Sequence, residues 1–321
     1  SLYVGRVGSG TLMVQDGGVV SAKTLFASLD HIVGNGTINA NGVVLDDDLV
    51  FDSPEGLNRT LNFGSSGTLN LNLDGSGALG AGHKATGTLT VTGGVVVRSS
   101  YGCIGSETGS TGSAIISGAG SKWVSGANLY VGDAGTGSLL VEAGGEVTSS
   151  NGHLGNKVGA SGTATLRGSG SKWTNTGTFY IATYGTGAMS VEQGAPVSSN
   201  NTYLGYYAGS TGSITVTDAG STWTNGASLF VGREGTGTIT VSNGGVINTR
   251  SLFADPADLL GNGTINARGA VLDADLVLDS TNSAGHTIAF GSGGSLNLSI
   301  DGTGSLGAGF RGNGTLTITD G

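Results

Sequence analysis

Short apolar runs recur along the whole chain, and within each run aliphatic and small polar residues alternate. Residues 88–92 read Thr-Leu-Thr-Val-Thr, and residues 238–242 read Thr-Ile-Thr-Val-Ser. Alternation with a period of two is the pattern of a β-strand with one buried face. Glycine, asparagine, serine and aspartate separate the runs and suit tight turns. No stretch has a sustained helical period, so the pattern predicts an all-β protein of many short strands.

A short repeat organises these runs. Segments of two apolar residues and a small residue end at positions 105, 132, 155, 182, 205 and 232, so the steps alternate between 27 (132 − 105) and 23 (155 − 132) residues. Trp123, Trp173 and Trp223 mark the same unit at intervals of 50 (173 − 123) residues. A fixed period predicts stacked structural units. A unit of this length, with two or three short strands, describes one rung of a parallel β-helix.

We therefore predict a single-stranded parallel β-helix, or β-solenoid, over residues 1–321, with rungs of about 23–27 residues. About 13 rungs spaced about 4.8 Å apart would form a rod about 60 Å long. Left-handed β-helices usually have hexapeptide repeats and shorter coils, which favours the right-handed form. A β-propeller is the main alternative, since a blade needs about 40–50 residues. The 23/27 sub-period argues against that alternative.

A longer repeat relates the two ends of the sequence. Residues 1–94 align without a gap to residues 228–321 at an offset of 227 (228 − 1), and residues 95–227 contain the 50-residue units. Residues 25–94 and 252–321 have longer apolar stretches, from which we predict wider coils of the same continuous solenoid. Both ends of the sequence fall inside a repeat unit, so we expect it to be about one and a half periods of a longer array.

Two recurring motifs resemble those of a known group of proteins. Gly-Asn-Gly-Thr-Ile-Asn occurs at 34–39 and 261–266, and Leu-Tyr-Val-Gly followed by Gly-x-Gly and Gly-Gly turns recurs through the chain. These motifs resemble the repeats of autotransporter passengers and of bacterial surface proteins that carry PEP-CTERM sorting signals. The resemblance implies a right-handed β-helix on the outside of a Gram-negative-type bacterium, where such rods serve as stalks, adhesins or fibres.

Composition narrows the classes of partner. With 64 glycines but only 3 prolines and 37% hydrophobic residues, the chain is neither collagen-like nor too polar to form a core. A net charge of −9 argues against nucleic acid or an anionic membrane as a partner. We predict no membrane insertion in this segment. Cys103 is assigned to the apolar position of Leu154 and Leu204, which predicts a buried residue and not a reactive thiol.

Aspartates recur at matching positions of the two long repeats. Asp46 and Asp48 correspond to Asp273 and Asp275. Carboxylates two residues apart on a strand point to the same face, where they could hold a hard cation such as calcium or act as an acid/base pair. The third interpretation is a solvated acidic edge that discourages lateral aggregation. We favour this last interpretation, because repetition with the long period suits structure better than catalysis and the calcium-binding β-roll motif is missing.

The tryptophans form the second candidate site. Trp123, Trp173 and Trp223 would stack two rungs apart, at separations of about 10 Å. An exposed row could receive sugar rings or contact a neighbouring rod, whereas a buried row would cover a corner of the core. His83 aligns with Phe310, so the histidines do not recur and no catalytic set is predicted.

These observations predict a structural protein without enzymatic activity and without a cofactor. We expect a segment of an extracellular bacterial fibre, filament or stalk that associates with itself end to end or laterally. The alternative is a cell-surface adhesin, an autotransporter-type passenger that binds surface polysaccharide. A polysaccharide lyase or hydrolase is the third interpretation.

Overall fold

The chain winds into a β-solenoid. A computed structural model describes residues 1–6, 8–54, 56–282 and 285–319. The strands of each central rung pair in parallel with the matching strands of the rungs before and after it. This confirms the predicted all-β solenoid, since the strands of a propeller blade would pair with their neighbours within one repeat.

Two long sheets contain most of the strands in the described part of the chain. The nine-stranded sheet consists of Asp48–Phe51, Thr86–Val91, Thr111–Ser117, Thr136–Glu142, Ser161–Arg167, Thr186–Glu192, Thr211–Thr217, Thr236–Ser242 and Leu259–Gly261. The large sheet consists of Leu2–Tyr3, Leu25–Ala27, Val43–Leu45, Leu79–Ala81, Val96–Ser99, Gly102–Ile104, Lys122–Ser125, Asn128–Val131, Glu146–Ser149, Asn151–Leu154, Lys172–Asn175, Thr178–Ile181, Pro196–Ser199, Asn201–Leu204, Thr222–Val231, Val246–Ala254, Thr264–Ala267, Ala270–Leu272, His286–Phe290, Gly294–Leu298 and Gly307–Ala308.

Three smaller sheets and two short helices are the other elements of the described residues. A four-stranded sheet consists of Val19–Ala22, Thr37–Ala40, Asn58–Phe63 and Gly67–Asn72. Two strand pairs are Leu12–Val14 with Ile32–Gly34 and Leu276–Leu278 with Leu316–Ile318. Two single-turn 3₁₀ helices are Leu29–His31 and Pro256–Asp258.

Each central rung has three strands and therefore three faces. In one rung these are Ser161–Arg167, Lys172–Asn175 and Thr178–Ile181. The first strand lies in the nine-stranded sheet and the other two lie in the large sheet. Along these strands buried residues alternate with partly exposed ones, as the period of two predicts.

The alternating repeat length arises at more than one corner of the rung, since the partners on the second face are 24 (147 − 123) or 26 (173 − 147) residues apart. In the nine-stranded sheet the paired residues are 25 (161 − 136) apart, as in Thr136 with Ser161. On the third face the separation is 27 (179 − 152) between Gly152 and its partner Phe179, and 23 (202 − 179) between Phe179 and its partner Thr202. Successive rungs thus use corners of different length while the sheets stay in register.

One apolar core runs through the solenoid from Val4 to Leu298. Its burial is the main stabilising contribution, and each rung buries its apolar side chains against its neighbours. In one column of the core, small and large residues alternate from rung to rung: Gly102, Leu129, Gly152 and Phe179. A Cβ atom on Gly152 would lie 2.8 Å from Cζ of the Phe179 ring in the next rung, so only glycine leaves room for that ring.

The two end modules, residues 25–94 and 252–321, contain coils of two kinds. The short coil separates Leu25 from its partner Val43 by 18 (43 − 25) positions, whereas the next coil separates Val43 from Leu79 by 36 (79 − 43) positions. The second module repeats the short coil, with Leu252 paired to Ala270 at the same separation of 18 (270 − 252) positions. The wider coils expected from the sequence are therefore long coils that follow short ones.

An antiparallel hairpin accounts for the length of each long coil. In the first module Asn58–Phe63 pairs antiparallel with Gly67–Asn72, which also pairs in parallel with Thr37–Ala40. In the second module His286–Phe290 and Gly294–Leu298 form the same hairpin. In both modules the second strand of the hairpin pairs in parallel with the preceding coil, so the hairpin does not interrupt the parallel stacking.

Candidate functional site

The recurring aspartates hold the backbone of a neighbouring coil. One carboxylate oxygen of Asp46 accepts hydrogen bonds from the amides of Lys84 and Ala85, both at 2.9 Å. In the second module Asp273 accepts one from the amide of Arg311 at 2.8 Å. This repeated contact gives both carboxylates a structural role, because each satisfies backbone donors where a coil begins its next turn.

The other two predicted aspartates do not complete a metal site. Asp48 and Asp275 are exposed, at or next to the start of a strand. Within residues 1–6, 8–54, 56–282 and 285–319, no group of three or more His, Cys, Asp or Glu side chains is placed to hold a metal ion. Exposed carboxylates at these positions are compatible with a solvated acidic edge that discourages lateral aggregation.

The three tryptophans lie in the core, each with 0% of its surface exposed. Each indole nitrogen donates a hydrogen bond to a buried serine hydroxyl on the strand of the preceding rung. The pairs are Trp123–Ser99, Trp173–Ser149 and Trp223–Ser199, at 3.0, 3.0 and 3.2 Å. A sugar or a neighbouring rod cannot reach side chains in this position. Of the two alternatives left open by the sequence, the tryptophans form the buried row, and the alternative of an exposed row that would bind a glycan or contact a neighbouring rod is wrong.

Aromatic residues do form an exterior row, on the third face of the rungs. We call this row the outer ladder: Tyr130, His153, Tyr180, Tyr203, Phe230 and Phe253. Successive ring centroids are 4.9, 4.8, 5.6, 4.7 and 4.3 Å apart, with interplanar angles of 9–27°. The rings stack because consecutive rungs are about 4.8 Å apart and present the same position.

A signal for the outer ladder is present in the sequence. In the segments that mark the 23/27 repeat, such as Tyr130-Val131-Gly132, the ladder residue is the first of the three. An aromatic residue therefore recurs at steps of 23 and 27 residues along the sequence. Cys103 pairs with Tyr130, so it belongs to this outer column and not to the inner column of Leu154 and Leu204. It is nevertheless buried, and burial raises the pKa of its thiol to about 12.

Three further tyrosines, from the turns that follow the third strands, cover part of the ladder. The ring of Tyr206 stands nearly perpendicular to those of Tyr180 and Tyr203, at 5.1 and 5.0 Å. Tyr184 and Tyr207 stack on each other at 4.2 Å with an angle of 12°. Tyr184 is exposed to solvent, at 43%.

These rings border a shallow groove of about 340 Å³, which we call the tyrosine groove. Its lining residues are Asn151, His153, Tyr180, Thr183, Tyr184, Tyr206 and Tyr207. Burial between its neighbours lowers the pKa of His153 to about 4, although the charge of Asp133 partly opposes the shift. The imidazole is therefore neutral near pH 7, and the groove has an uncharged, aromatic and hydroxyl-rich lining.

The two long repeats differ at one aromatic cluster on the same face. The first cluster consists of Tyr3, Phe26 and His83, and the second consists of Phe230, Phe253 and Phe310. The His83 side chain is 0% exposed, and neither ring nitrogen has a hydrogen-bond partner among the described residues. Burial lowers the pKa of His83, because a charge there would lose its hydration.

Replacing His83 with phenylalanine is expected to stabilise the protein. The substitution removes a buried polar group without a partner in the described ranges, whose cost is about 1–3 kcal/mol, and installs the residue found at position 310. Urea denaturation at pH 7.5 would measure the gain, with His83→Ala as a control that removes the ring. A loss of stability in His83→Phe would show that the first cluster has no room for the larger ring.

Comparisons with known proteins assign this chain to no group. No protein-family model, no curated protein and no solved structure matches it. In the ranges that the structure describes, no helix has the length and apolar character needed to cross a membrane.

Proposed function

We propose that the chain is a segment of a right-handed parallel β-helix that serves as a structural rod in an extracellular bacterial fibre, filament or stalk, without enzymatic activity. The observation that carries this proposal is the continuity of the core, which runs through central and end modules alike. The length of the central coils favours the right-handed form. The repeat motifs and their resemblance to bacterial surface proteins support the extracellular location.

Stiffness would accumulate with the number of rungs. Every central rung is hydrogen-bonded to both neighbours in all three faces, so bending the rod would disturb many backbone bonds at once. Charged side chains add cross-rung pairs on the surface: Glu146 contacts Lys122 and Lys172 at 3.3 and 3.0 Å. Pairs of this kind contribute at most about 1 kcal/mol each, so the core and the backbone provide most of the stiffness.

The repeat predicts a measurable axial period. Nine rung steps connect Tyr3 to its counterpart Phe230 along one column. At about 4.8 Å per step the long repeat would advance by about 43 Å. Rods that associate end to end or side by side in register would display this period.

Immunogold electron microscopy of cells that produce the protein tests the proposal. We expect labelled, unbranched rods outside the cell, with an axial period of about 43 Å in averaged images. Pre-immune serum on the same cells is the control. Label confined to the cell interior, or compact particles without an axial period, would refute the fibre function.

A further inference from the structure

We propose that the tyrosine groove is a binding site for a neutral glycan chain. The site would add a ligand-binding activity to the rod, and it stands on observations separate from those that support the fibre. The ligand class follows from the lining, the local charge and the small extent of the surface.

The lining of the groove matches the two chemical faces of a sugar ring. A pyranose presents C–H groups above and below the ring and hydroxyl groups around its rim. Tyrosine offers an apolar ring together with a hydroxyl that donates and accepts hydrogen bonds. The stacked pair Tyr184 and Tyr207 provides an exposed apolar wall. Thr183, whose hydroxyl lies 3.4 Å from Nδ1 of His153, also lines the groove. Sites with mostly aromatic walls and a few polar groups are typical of small-ligand binding.

The charges around the groove favour a neutral ligand over an acidic one. No Asp, Glu, Lys or Arg side chain is among the residues that line it. The nearby charges are of both signs: Lys157 pairs with Asp133 at 2.8 Å, and the Arg233 guanidinium lies 4.4 Å from the centre of the Tyr206 ring. The hydrogen bond with Tyr184 and, to a smaller extent, the charge of Glu234 raise the pKa of Tyr207. A chain with a net charge of −9 would also repel acidic polysaccharides.

The extent of the surface argues against a protein partner. A stable protein interface buries about 800 Å² on each side and usually has a contiguous apolar centre. Of the large hydrophobic side chains that are exposed in the described ranges, only Tyr184 lines the groove. A narrow polymer fits this surface better than a second copy of the rod.

The groove is a local addition to the repeat. The turn positions that follow the 23/27 step are Ala134, Lys157, Tyr184, Tyr207 and Glu234. Only two consecutive rungs of this series therefore place tyrosine there. The rungs can stack without an aromatic residue at this turn position, because other rungs of the series have alanine, lysine or glutamate there.

The repeat supplies substitutions that are compatible with folding. Tyr184→Ala and Tyr207→Ala each install the residue type found at position 134 of the same turn. Val158→Ala is the matched control, since Val158 is 83% exposed and does not line the groove. Tyr184→Phe keeps the ring and removes only the hydroxyl.

Isothermal titration calorimetry with defined hexasaccharides tests the proposal. The probes are cellohexaose, hexa-N-acetylchitohexaose and mannohexaose, with hexagalacturonate as the acidic comparison. We expect at least one neutral hexasaccharide to bind more tightly than hexagalacturonate. Its affinity should fall at least tenfold in Tyr184→Ala and in Tyr207→Ala, but less than threefold in Val158→Ala. Tyr184→Phe should retain more affinity than Tyr184→Ala.

Three results would overturn the proposal. The first is no binding of any neutral probe at millimolar concentration. The second is binding that the tyrosine variants leave unchanged, which would place the ligand elsewhere. The third is a dimer in sedimentation velocity that Tyr184→Ala dissociates, which would assign the groove to contacts between copies of the chain. None of these results would affect the rods expected in electron microscopy, so the two proposals can fail independently.

Discussion

Replacing Trp173 with alanine is expected to lower the free energy of unfolding by about 3–5 kcal/mol. The indole is completely buried, and its ring meets that of Phe179 edge to face at 4.7 Å. Its removal leaves a cavity that rungs held by backbone pairing on both sides cannot close. It also deletes the hydrogen bond from the indole nitrogen to the Ser149 hydroxyl at 3.0 Å.

Two companion variants separate packing from hydrogen bonding. Trp173→Val installs the residue that pairs with Trp173 from both adjacent rungs, Val147 and Val197, and should be less destabilising than alanine because it fills part of the cavity. Ser149→Ala keeps the indole but removes its acceptor, together with the hydrogen bond that the same hydroxyl donates to Asn175 Oδ1 at 2.9 Å. The expected cost is about 1–3 kcal/mol for each buried group left without its partner.

Hydrogen exchange is the appropriate measurement alongside urea denaturation. Each rung contacts mainly its neighbours, so protection should fall most in the rungs on either side of Trp173 and least near the ends. If Trp173→Ala stayed within about 1 kcal/mol of the wild type, far below the usual cost of emptying a core position, the core placement of the indole would be wrong.

Acidification is expected to weaken the solenoid through His153. The folded protein lowers the pKa of this imidazole from 6.5 to about 4, mainly by burial. Since the unfolded chain takes up the proton first, the neutral imidazole contributes fully above pH 6.5. The contribution is lost as the pH falls from 6.5 to about 4. At about 1.36 kcal/mol per pKa unit, the loss over this window is about 3 kcal/mol.

His153→Tyr is the matched control for this pH dependence. Tyrosine is the residue at the two adjacent positions of the outer ladder, Tyr130 and Tyr180, so the substitution should preserve the stack. Stability measured by urea denaturation between pH 7.5 and 4 should fall less steeply in the variant. His83→Phe should be combined with it, because burial also lowers the pKa of His83. Equal slopes for wild type and double variant would exclude these histidines as the cause.

Much of the architecture follows from one-dimensional features of the sequence. The period of two indicates strands with one buried face, and the alternating 23/27 step indicates stacked coils. Both features are properties of spacing alone, and they need no knowledge of which residues meet. Spacing did not predict the short coil from Leu25 to Val43 or the hairpins. A change of coil length interrupts the regular spacing on which the prediction depends.

Predicting the candidate sites required knowing which face of the sheet each side chain occupies. A shift of one residue moves every side chain of a strand to the opposite face, and spacing along the chain cannot detect that shift. The tryptophans therefore proved to be core residues, and Cys103 proved to lie one position away from its assigned column. For the same reason Tyr180 and its stacked neighbours lie outside.

The repeat length and the strand pattern thus determined the solenoid and the alternation of buried and exposed positions. Only the tertiary structure decided which aromatic row faces solvent and what the aspartates bind. Those outcomes depend on how each turn enters its strand and on which coil lies next to it. Asp46 illustrates the point, since its partners at 84 and 85 are distant in sequence and adjacent only because the rungs stack.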